Sequence, residues 1–294
     1  SKSKKLKSEK TIIEKEVFQK AKIYEKEFNP QLKIKLKSNF KNKSFVNNLS
    51  NNNGIVKFNG DLKEVSKYKF SKISKFDYFQ PELLLTKRNS IIFFDDKGLI
   101  LNFDENSKLI WQKNIYSKTE KKLKPILYFE SNEKYLVVAD NIAKYYAIDI
   151  NNGELSWSKN NIAPFNSQIK IFKDKFFVID FDNILRSYSI KSGEEIWNFK
   201  TEKSFIKSQQ KLSVVVSDNR VIFINTLGDV SSIDLSSGNL LWQTPTQSSS
   251  IYENSFSLKN SDLIVENKSI YFSNNKNEFF ALDERSGIVK WKQT

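Results

Sequence analysis

Residues 234–242 read DLSSGNLLW, and similar nonapeptides occur at 149–157 (DINNGELSW), 189–197 (SIKSGEEIW) and 283–291 (DERSGIVKW). The chain of 294 residues has only eight glycines and five tryptophans, and these four segments hold four of each. A constant spacing between two such rare residue types indicates a repeated structural unit.

The tryptophans give the length of this unit. Spacings of 46, 40, 45 and 49 residues separate the successive members of the series Trp111, Trp157, Trp197, Trp242 and Trp291. Short apolar runs separated by Gly, Asn, Asp and Ser fill each unit, a pattern typical of four-stranded propeller blades rather than of helical repeats. We therefore predict an all-β propeller of antiparallel blades, with recognisable blades at about 83–115, 125–160, 167–201, 211–245 and 262–294.

Each residue type in the frame has a physical role. Gly fits a left-handed position in the hairpin turn between strands three and four, Asp accepts N–H bonds from that turn, and Trp covers the gap to the next blade. In the first unit the aspartate, Asp104, lies one position later in the frame than in the other units, and Ser107 takes the place of Gly. In the third unit Ser189 takes the place of Asp. The structural motif comprises Trp111, Asp149, Gly153, Trp157, Gly193, Trp197, Asp234, Gly238, Trp242, Asp283, Gly287 and Trp291.

The turns between strands two and three also need residues that tolerate positive φ. Gly, Asn and Asp are the residue types that do so most readily. We expect this role for Gly98, Asn141, Asn183, Gly228 and Asn275.

Composition limits the possible chemistry. The chain has no Cys and no His, which removes disulfides, Cys nucleophiles and the commonest general base and metal ligand. No apolar run approaches 18 residues, so the sequence predicts no membrane-spanning helix. Of the net charge of +14, residues 1–75 carry nearly all, with 20 Lys against 7 acidic residues. Either an AT-rich genome or a real basic patch explains that excess.

The N-terminal region differs from the repeats. We expect a basic linker with a short amphipathic helix over residues 1–30, the helix at 11–28, and a propeller over 31–294 that includes an alternating strand at 32–40. The chain lacks a Met and stops just after a fourth strand. We predict an open arc that lacks C-terminal blades; the alternative is a smaller ring closed between the first and fifth units.

The segments AIDINNGELSW (147–157) and ALDERSGIVKW (281–291) resemble the tryptophan-docking motif of the PQQ-like β-propellers. The resemblance covers about residues 83–294. Two classes of protein carry this motif: quinone-dependent dehydrogenases, and the BamB propeller lipoproteins of the outer-membrane β-barrel assembly machinery. Both belong to families that close at eight blades.

The dehydrogenase class implies a Ca²⁺ and quinone site on the propeller axis, built from Glu, Asn and a catalytic Asp. The sequence shows no acidic cluster outside the repeat turns, and Asp95-Asp96 and Glu194-Glu195 are interpreted as solvated turn carboxylates. We therefore predict no enzyme activity, no catalytic residue, no cofactor and no metal. A quinoprotein similar to the dehydrogenases remains an alternative.

The BamB class implies a non-catalytic scaffold at the periplasmic face of the outer membrane of a Gram-negative bacterium. Its lipidated N-terminal Cys would lie upstream of residue 1, and its partner is the periplasmic part of the barrel-inserting subunit. The resemblance places partner-binding residues in mid-chain loops, at Phe205, Ile206 and Lys207 and, with poorer registration, at Glu253 and Asp262. Alternatively, Phe205 and Ile206 begin the next inner strand and pack inside.

A third class is a polyanion-binding propeller that uses the basic residues of 1–75 together with nearby aromatic side chains. The near-neutral repeats, with 28 basic and 27 acidic residues over 76–294, count against it. We therefore predict neither a nucleic-acid partner nor a small-molecule substrate.

Overall fold

The structure, a computed structural model, describes residues 83–86, 88–202, 210–246 and 259–294, together with Lys67. The predicted linker, the helix at 11–28 and the strand at 32–40 lie outside the described residues. Within them the chain forms five separate four-stranded sheets, each an antiparallel meander in sequence order. The all-β propeller architecture predicted from the tryptophan repeat is confirmed.

The sheets follow one another along the chain as blades 1 to 5. Blade 1 contains β1 Leu84–Leu85, β2 Ile91–Phe94, β3 Ile100–Phe103 and β4 Leu109–Lys113. After a short helix, α1 Lys118–Lys122, blade 2 contains β5 Leu127–Ser131, β6 Tyr135–Asp140, β7 Lys144–Asp149 and β8 Leu155–Asn160. The helix was not predicted.

The other three blades repeat the arrangement. Blade 3 contains β9 Lys170–Phe172, β10 Lys175–Ile179, β11 Ile184–Ser189 and β12 Glu195–Lys200. Blade 4 contains β13 Val214–Ser217, β14 Arg220–Ile224, β15 Asp229–Asp234 and β16 Leu240–Pro245. Blade 5 contains β17 Ile264–Glu266, β18 Ser269–Ser273, β19 Phe279–Asp283 and β20 Val289–Gln293.

The hydrophobic core lies between blades rather than within them. Four clusters of buried side chains each join two consecutive blades, from the pair 1 and 2 to the pair 4 and 5. The middle strands of blades 2, 3 and 4 are buried on both faces, because each of these blades lies between two others, while the outer strands β8, β12 and β16 alternate toward solvent. No cluster among the described residues joins blade 1 to blade 5.

The tryptophans join consecutive blades, as predicted. The indole Nε1 of Trp111 donates a hydrogen bond of 2.8 Å to the carbonyl of Ile150 in blade 2. Trp157, Trp197 and Trp242 repeat this contact to the following blade at 3.0–3.1 Å. Among the described residues, Trp291 has ring contacts only within its own blade, with centroid distances of 6.2 and 5.3 Å to two aromatic neighbours.

The motif glycine has a second role that the sequence analysis missed. Gly238 has φ +76°, as the turn requires, but a Cβ there would also lie 2.8 Å from the ring of Trp197 in the preceding blade. The Trp111 ring covers Gly153 in the same way. The constant Gly-to-Trp frame of blades 2, 3 and 4 therefore reflects two contacts, one with each neighbouring blade.

The motif aspartates cap their turns, as predicted. The Oδ1 atom of Asp234 accepts the N–H groups of Ser236 and Ser237 at 3.1 and 2.8 Å, and Asp283 makes the equivalent bonds. In the first unit Asp104 caps a turn one residue shorter, in which Ser107 has φ +63°.

A second family of caps lies in the turns between strands two and three. The Oδ1 atom of Asp or Asn accepts the N–H groups two and four residues later, at 2.8–3.2 Å in all five blades. The residue three places later has positive φ. The capping residues are Asp95, Asp140, Asp180, Asn225 and Asn274.

These turns correct two predictions about backbone conformation. Positive φ was expected at Asn141 and Asn275, but it occurs at Ala143 and Asn277. The position is set by its distance from the capping residue, not by residue type. Asn141 instead accepts the Ile126 N–H at 2.8 Å through its side chain, which holds the incoming connection.

The expectation of solvated turn acids was also wrong for Asp95. This side chain is only 4% exposed because the turn wraps around its carboxylate. Glu194 is exposed, as expected, and pairs with Lys159 of blade 2. Glu195 lies in β12 and pairs with Arg186. These acids therefore serve turns and pairs between strands.

Candidate functional site

Successive turns of an antiparallel meander lie at opposite ends of its strands, so the turns of the propeller are divided between two faces. In an antiparallel meander, the turns between strands two and three lie at the same end as the connections from strand four to the next blade. We call this end the upper face and the other the lower face. The connections at 201–213 and 246–263 therefore belong to the upper face. Phe205, Ile206, Lys207 and Glu253 lie in them but outside the described residues.

The described ends of these connections are anchored to their own blades. The Thr201 hydroxyl donates to the carbonyl of Asn183 at 3.0 Å, and that of Thr246 donates to the carbonyl of Gly228 at 2.6 Å. Both threonines are buried, and both acceptors lie in upper-face turns. Each connection therefore leaves its blade from a fixed position.

The far ends of the connections are bonded to one another across blades. The side chain of Gln210 accepts the Asn260 N–H at 3.0 Å and donates back to the Asn260 carbonyl. The carbonyl of Gln210 in turn accepts the side-chain amide of Asn166 at 2.8 Å. Three successive connections end at Asn166, Gln210 and Asn260. These bonds therefore fix the positions of the inner ends of the connections relative to one another.

Charged side chains lie beside this chain of bonds. Burial lowers the pKa of Lys170, and the nearby carboxylates of Glu130 and Asp262 partly offset that effect. Burial likewise lowers the pKa of Lys211, again opposed by Asp262. Asp262 is half-buried beside two lysines from other blades, an environment that the sequence did not predict. Its role in partner binding stays a prediction.

The upper face also presents apolar side chains that the sequence analysis did not select. Ile162, in the connection between blades 2 and 3, is 95% exposed, and Leu123, between blades 1 and 2, is 62% exposed. Exposed apolar side chains can contribute to protein interaction surfaces. No periodicity marks Ile162, because it lies outside any strand.

A buried carboxylate with a strongly raised pKa serves a turn. Burial raises the pKa of Asp140 to about 6, although hydrogen bonds from Tyr116, Lys144 and Ile142 oppose the shift. Its Oδ2 atom accepts the Tyr116 hydroxyl at 2.6 Å, and its Oδ1 atom caps the β6–β7 turn. Burial also raises the pKa of Tyr116 far above its ordinary range. Both groups are enclosed in the core between blades 1 and 2, away from solvent.

Asp180 is a further buried acid with a charged partner. Its Oδ2 atom accepts the Nε–H of Arg186 at 2.8 Å, and the same guanidinium pairs with Glu195 across to β12. Within the described ranges no three His, Cys, Asp or Glu side chains are grouped as metal ligands would be. The helical segments of the same ranges include none long and apolar enough to cross a bilayer.

Comparison with known proteins agrees with this architecture. The family model described as "Outer membrane protein assembly factor BamB" matches residues 96–294. A curated relative, the outer membrane protein assembly factor BamB of Legionella pneumophila (strain Paris), is 26% identical over 135 residues, 44% of this chain and 32% of the relative. The chain thus matches about a third of the length of this relative.

Solved structures show the same fold. BamB from Moraxella catarrhalis aligns with a TM-score of 0.59 and 15% identity, over 76% of this chain and 66% of that one. The computationally designed Ika8 protein aligns at 0.57 with 13% identity over 72% and 60% of the two chains. The Cps50 (Swd1) β-propeller domain of Myceliophteria thermophila aligns at 0.52 with 13% identity over 72% and 70%.

These structural likenesses establish the propeller fold, and the family model covers more than half of the sequence, including every tryptophan of the repeat. The chain is a PQQ-like β-propeller and belongs to the BamB family of outer membrane protein assembly factors.

Proposed function

We propose that the chain is a non-catalytic interaction subunit of an outer-membrane β-barrel assembly machinery. It binds the periplasmic domains of the barrel-inserting subunit through its upper face. The observation that carries this proposal is the bonded series Asn166, Gln210 and Asn260, which holds the inner ends of three successive connections in one arrangement. A preorganised surface loses less conformational freedom on binding than separately moving loops.

The chemistry of the blades supports a scaffold rather than an enzyme. Asp140 and Asp180 are the buried acids whose environments most resemble those of catalytic groups. Both carboxylates accept N–H groups of their turns, and each has a further partner in the core. The sequence supplies no His and no Cys. The apolar and charged side chains of the upper face suit binding.

The partner contact combines apolar and charged residues. Phe205, Ile206 and Lys207 form its apolar and basic part in the connection between blades 3 and 4, and Glu253 and Asp262 form its acidic part in the next connection. The exposed Ile162 of the preceding connection adds an apolar side chain to the upper face. Large apolar side chains near the centre of an interface commonly carry much of its binding energy.

The proposed location is the periplasmic face of the outer membrane, with a lipid-anchored N-terminus. Family membership supports this location. The five lysines of residues 1–10 also suit an anionic lipid surface, where each contributes about 1 kcal/mol of attraction.

The test is a pull-down of the barrel-inserting subunit from envelope extract. The variant Phe205→Asp with Lys207→Glu removes the apolar side chain and reverses a charge. We expect at least about tenfold less recovery than with the parent, since loss of a hot-spot contact weakens binding by about 1.4 kcal/mol or more.

A matched control carries the same chemical changes on the lower face. Ile288 is 67% exposed in the β19–β20 turn, and Lys191 lies in the β11–β12 turn. The variant Ile288→Asp with Lys191→Glu should recover the subunit as well as the parent does. Equal recovery by both variants would disprove the site, and absence of any assembly component from the parent pull-down would disprove the function.

A further inference from the structure

The connection between blades 1 and 2, residues 114–126, carries α1 on the upper face and is fixed at both ends. At its start Tyr116 is buried, and its hydroxyl donates to the carboxylate of Asp140 in blade 2 at 2.6 Å. At its end the N–H of Ile126 donates to the Oδ1 atom of Asn141 at 2.8 Å. The residues between these two anchors therefore project from the propeller in a defined arrangement.

A capping box and an ion pair hold α1 in place. The hydroxyl of Ser117 accepts the Glu120 N–H at 3.3 Å, and the carboxylate of Glu120 accepts the Ser117 N–H at 2.8 Å. The other carboxylate oxygen of Glu120 pairs with the ammonium group of Lys144 in blade 2 at 2.6 Å. The bond to Lys144, together with the Ser117 N–H, lowers the pKa of Glu120 to about 2. The single carboxylate of the connection is therefore ionised and already paired.

Lysines dominate the outer surface of this connection. Lys118, Lys122 and Lys124 are exposed, and Lys121 is half-buried. None of the four pairs with a carboxylate of the residues that the structure describes. Leu123 lies between two of these lysines and is 62% exposed. We call this set of four lysines and one leucine, residues 118 and 121–124, the basic tip.

The acids near the basic tip do not cancel its charge. Seven lysines and four acids, a net charge of +3, lie in the surrounding upper-face segments 95–98, 113–126 and 140–144. Two of the acids, Asp95 and Asp140, are buried in the turns that they cap, and Glu120 is paired with Lys144. The fourth, Asp96, is half-buried in the β2–β3 turn. The basic tip is therefore a positive surface with an apolar side chain at its centre.

The chemistry of the basic tip favours a lipid surface over a folded protein. Protein interfaces are enriched in Arg and depleted in Lys, and a stable one covers about 800 Å² on each partner. The connection contains no Arg, and the basic tip has only five side chains. Lysines are attracted by the negative potential of anionic lipids without fixed partner positions, and an exposed leucine beside them suits the apolar layer below the headgroups.

We propose that the basic tip contacts an anionic lipid surface, with Leu123 between the headgroups and the acyl chains and the lysines at the lipid phosphates. The long lysine side chains keep their ammonium groups at the phosphates while the leucine lies deeper. This contact turns blades 1 and 2 toward the bilayer. It goes beyond the proposed function, which places only residues 1–10 at the lipid. The connections assigned to the assembly partner lie between blades 3 and 5, in another part of the upper face.

The test is co-flotation of the full chain with vesicles of equimolar phosphatidylcholine and phosphatidylglycerol, compared with vesicles of phosphatidylcholine alone. The variant Lys118→Gln with Lys122→Gln and Lys124→Gln should partition into the anionic vesicles at least about tenfold more weakly than the parent. Leu123→Gln keeps every charge and should partition at least about threefold more weakly. The lysines of residues 1–75 are the same in every protein, so the differences report on the basic tip.

A matched control removes three charges from turns of the lower face. Lys108, Lys173 and Lys191 are exposed there, and Lys173 has φ +54°, close to the +52° of Lys124. The variant with Gln at these three lower-face positions should partition within about twofold of the parent. A strand of six residues separates the two faces by about 20 Å, more than the Debye length of about 8 Å at physiological salt.

All three variants change exposed side chains and should unfold at the urea midpoint of the parent. Equal binding of the parent to both kinds of vesicle, unchanged partitioning of either tip variant, or an equal loss in the lower-face control would overturn the proposal. Loss of the barrel-inserting subunit by the lysine variant with its vesicle binding intact would make the basic tip a protein contact and would also overturn it. None of the vesicle results depends on the pull-down with the Phe205 and Lys207 variant.

Discussion

Gly238→Ala tests whether the glycine is required for docking of tryptophan as well as for its turn. The backbone has φ +76°, where a Cβ costs about 1–2 kcal/mol. The added Cβ would also lie 2.8–3.0 Å from three ring atoms of Trp197, and relieving such overpacking costs typically about 1–3 kcal/mol. The variant should therefore lose about 2–5 kcal/mol of unfolding free energy, the sum of these ranges.

A double-mutant cycle separates the two contributions. Trp197→Ala removes the ring, so Gly238→Ala in that background should lose only the backbone part, about 1–2 kcal/mol. Urea unfolding followed by far-UV circular dichroism measures all four proteins without relying on indole fluorescence. The difference between the two Gly238→Ala effects is the coupling, expected at about 1–3 kcal/mol. Strict additivity would show that the ring does not rest on the glycine and would refute the reasoning.

Three further predictions concern single positions. Trp242→Ala should lose about 3–5 kcal/mol of unfolding free energy. Trp291→Ala should lose clearly less, because the described ring contacts of Trp291 lie within blade 5. Equal losses in urea unfolding would contradict the docking role. Ser107→Gly should stabilise by about 1 kcal/mol, because it relieves φ +63° and removes a buried hydroxyl oxygen that has no partner among the described residues. A lower urea midpoint would contradict this. For Asp140, the folded pKa of about 6 exceeds its ordinary 3.8, so its contribution is full below pH 4 and is lost as the pH rises to 6. Asp140→Asn keeps the cap, as Asn225 does in blade 4, and should flatten the fall in stability between pH 4 and 6; an unchanged slope would contradict the assignment.

The tryptophan frame predicted the blades because its signal is both rare and local. Each indole sits a fixed number of residues after its turn, and the contact it makes is the same in four blades. The second set of caps was harder to see, since Asp95 and Asn225 are common residue types in any turn. These caps are distinguished only by the residue of positive φ that follows three positions later. In blade 2 that residue is Ala143, a residue type not expected to have positive φ, so the pattern could not be recognised.

The candidate sites were less predictable because they depend on contacts between distant segments. Gln210 and Asn260 are 50 residues apart, and nothing in either segment indicates that one side chain binds the other backbone. Lys170 and Asp262 come together only because the inner strands converge. Asn102 stands out in the sequence as a larger polar residue opposite tryptophan, but the sequence does not show that its carboxamide oxygen is buried without a partner among the described residues.

The repeat restricts where binding can arise in this fold. Positions that cap turns or carry an indole are fixed by blade packing, so a change at Gly238 or Asp140 acts first on stability. Binding chemistry can vary where the repeat leaves freedom, in the connections of the upper face. Loss of partner recovery without loss of stability is therefore expected for variants at Phe205 and Lys207, whereas variants in the tryptophan frame should lose both together. That contrast separates a surface that binds from a core that only positions it.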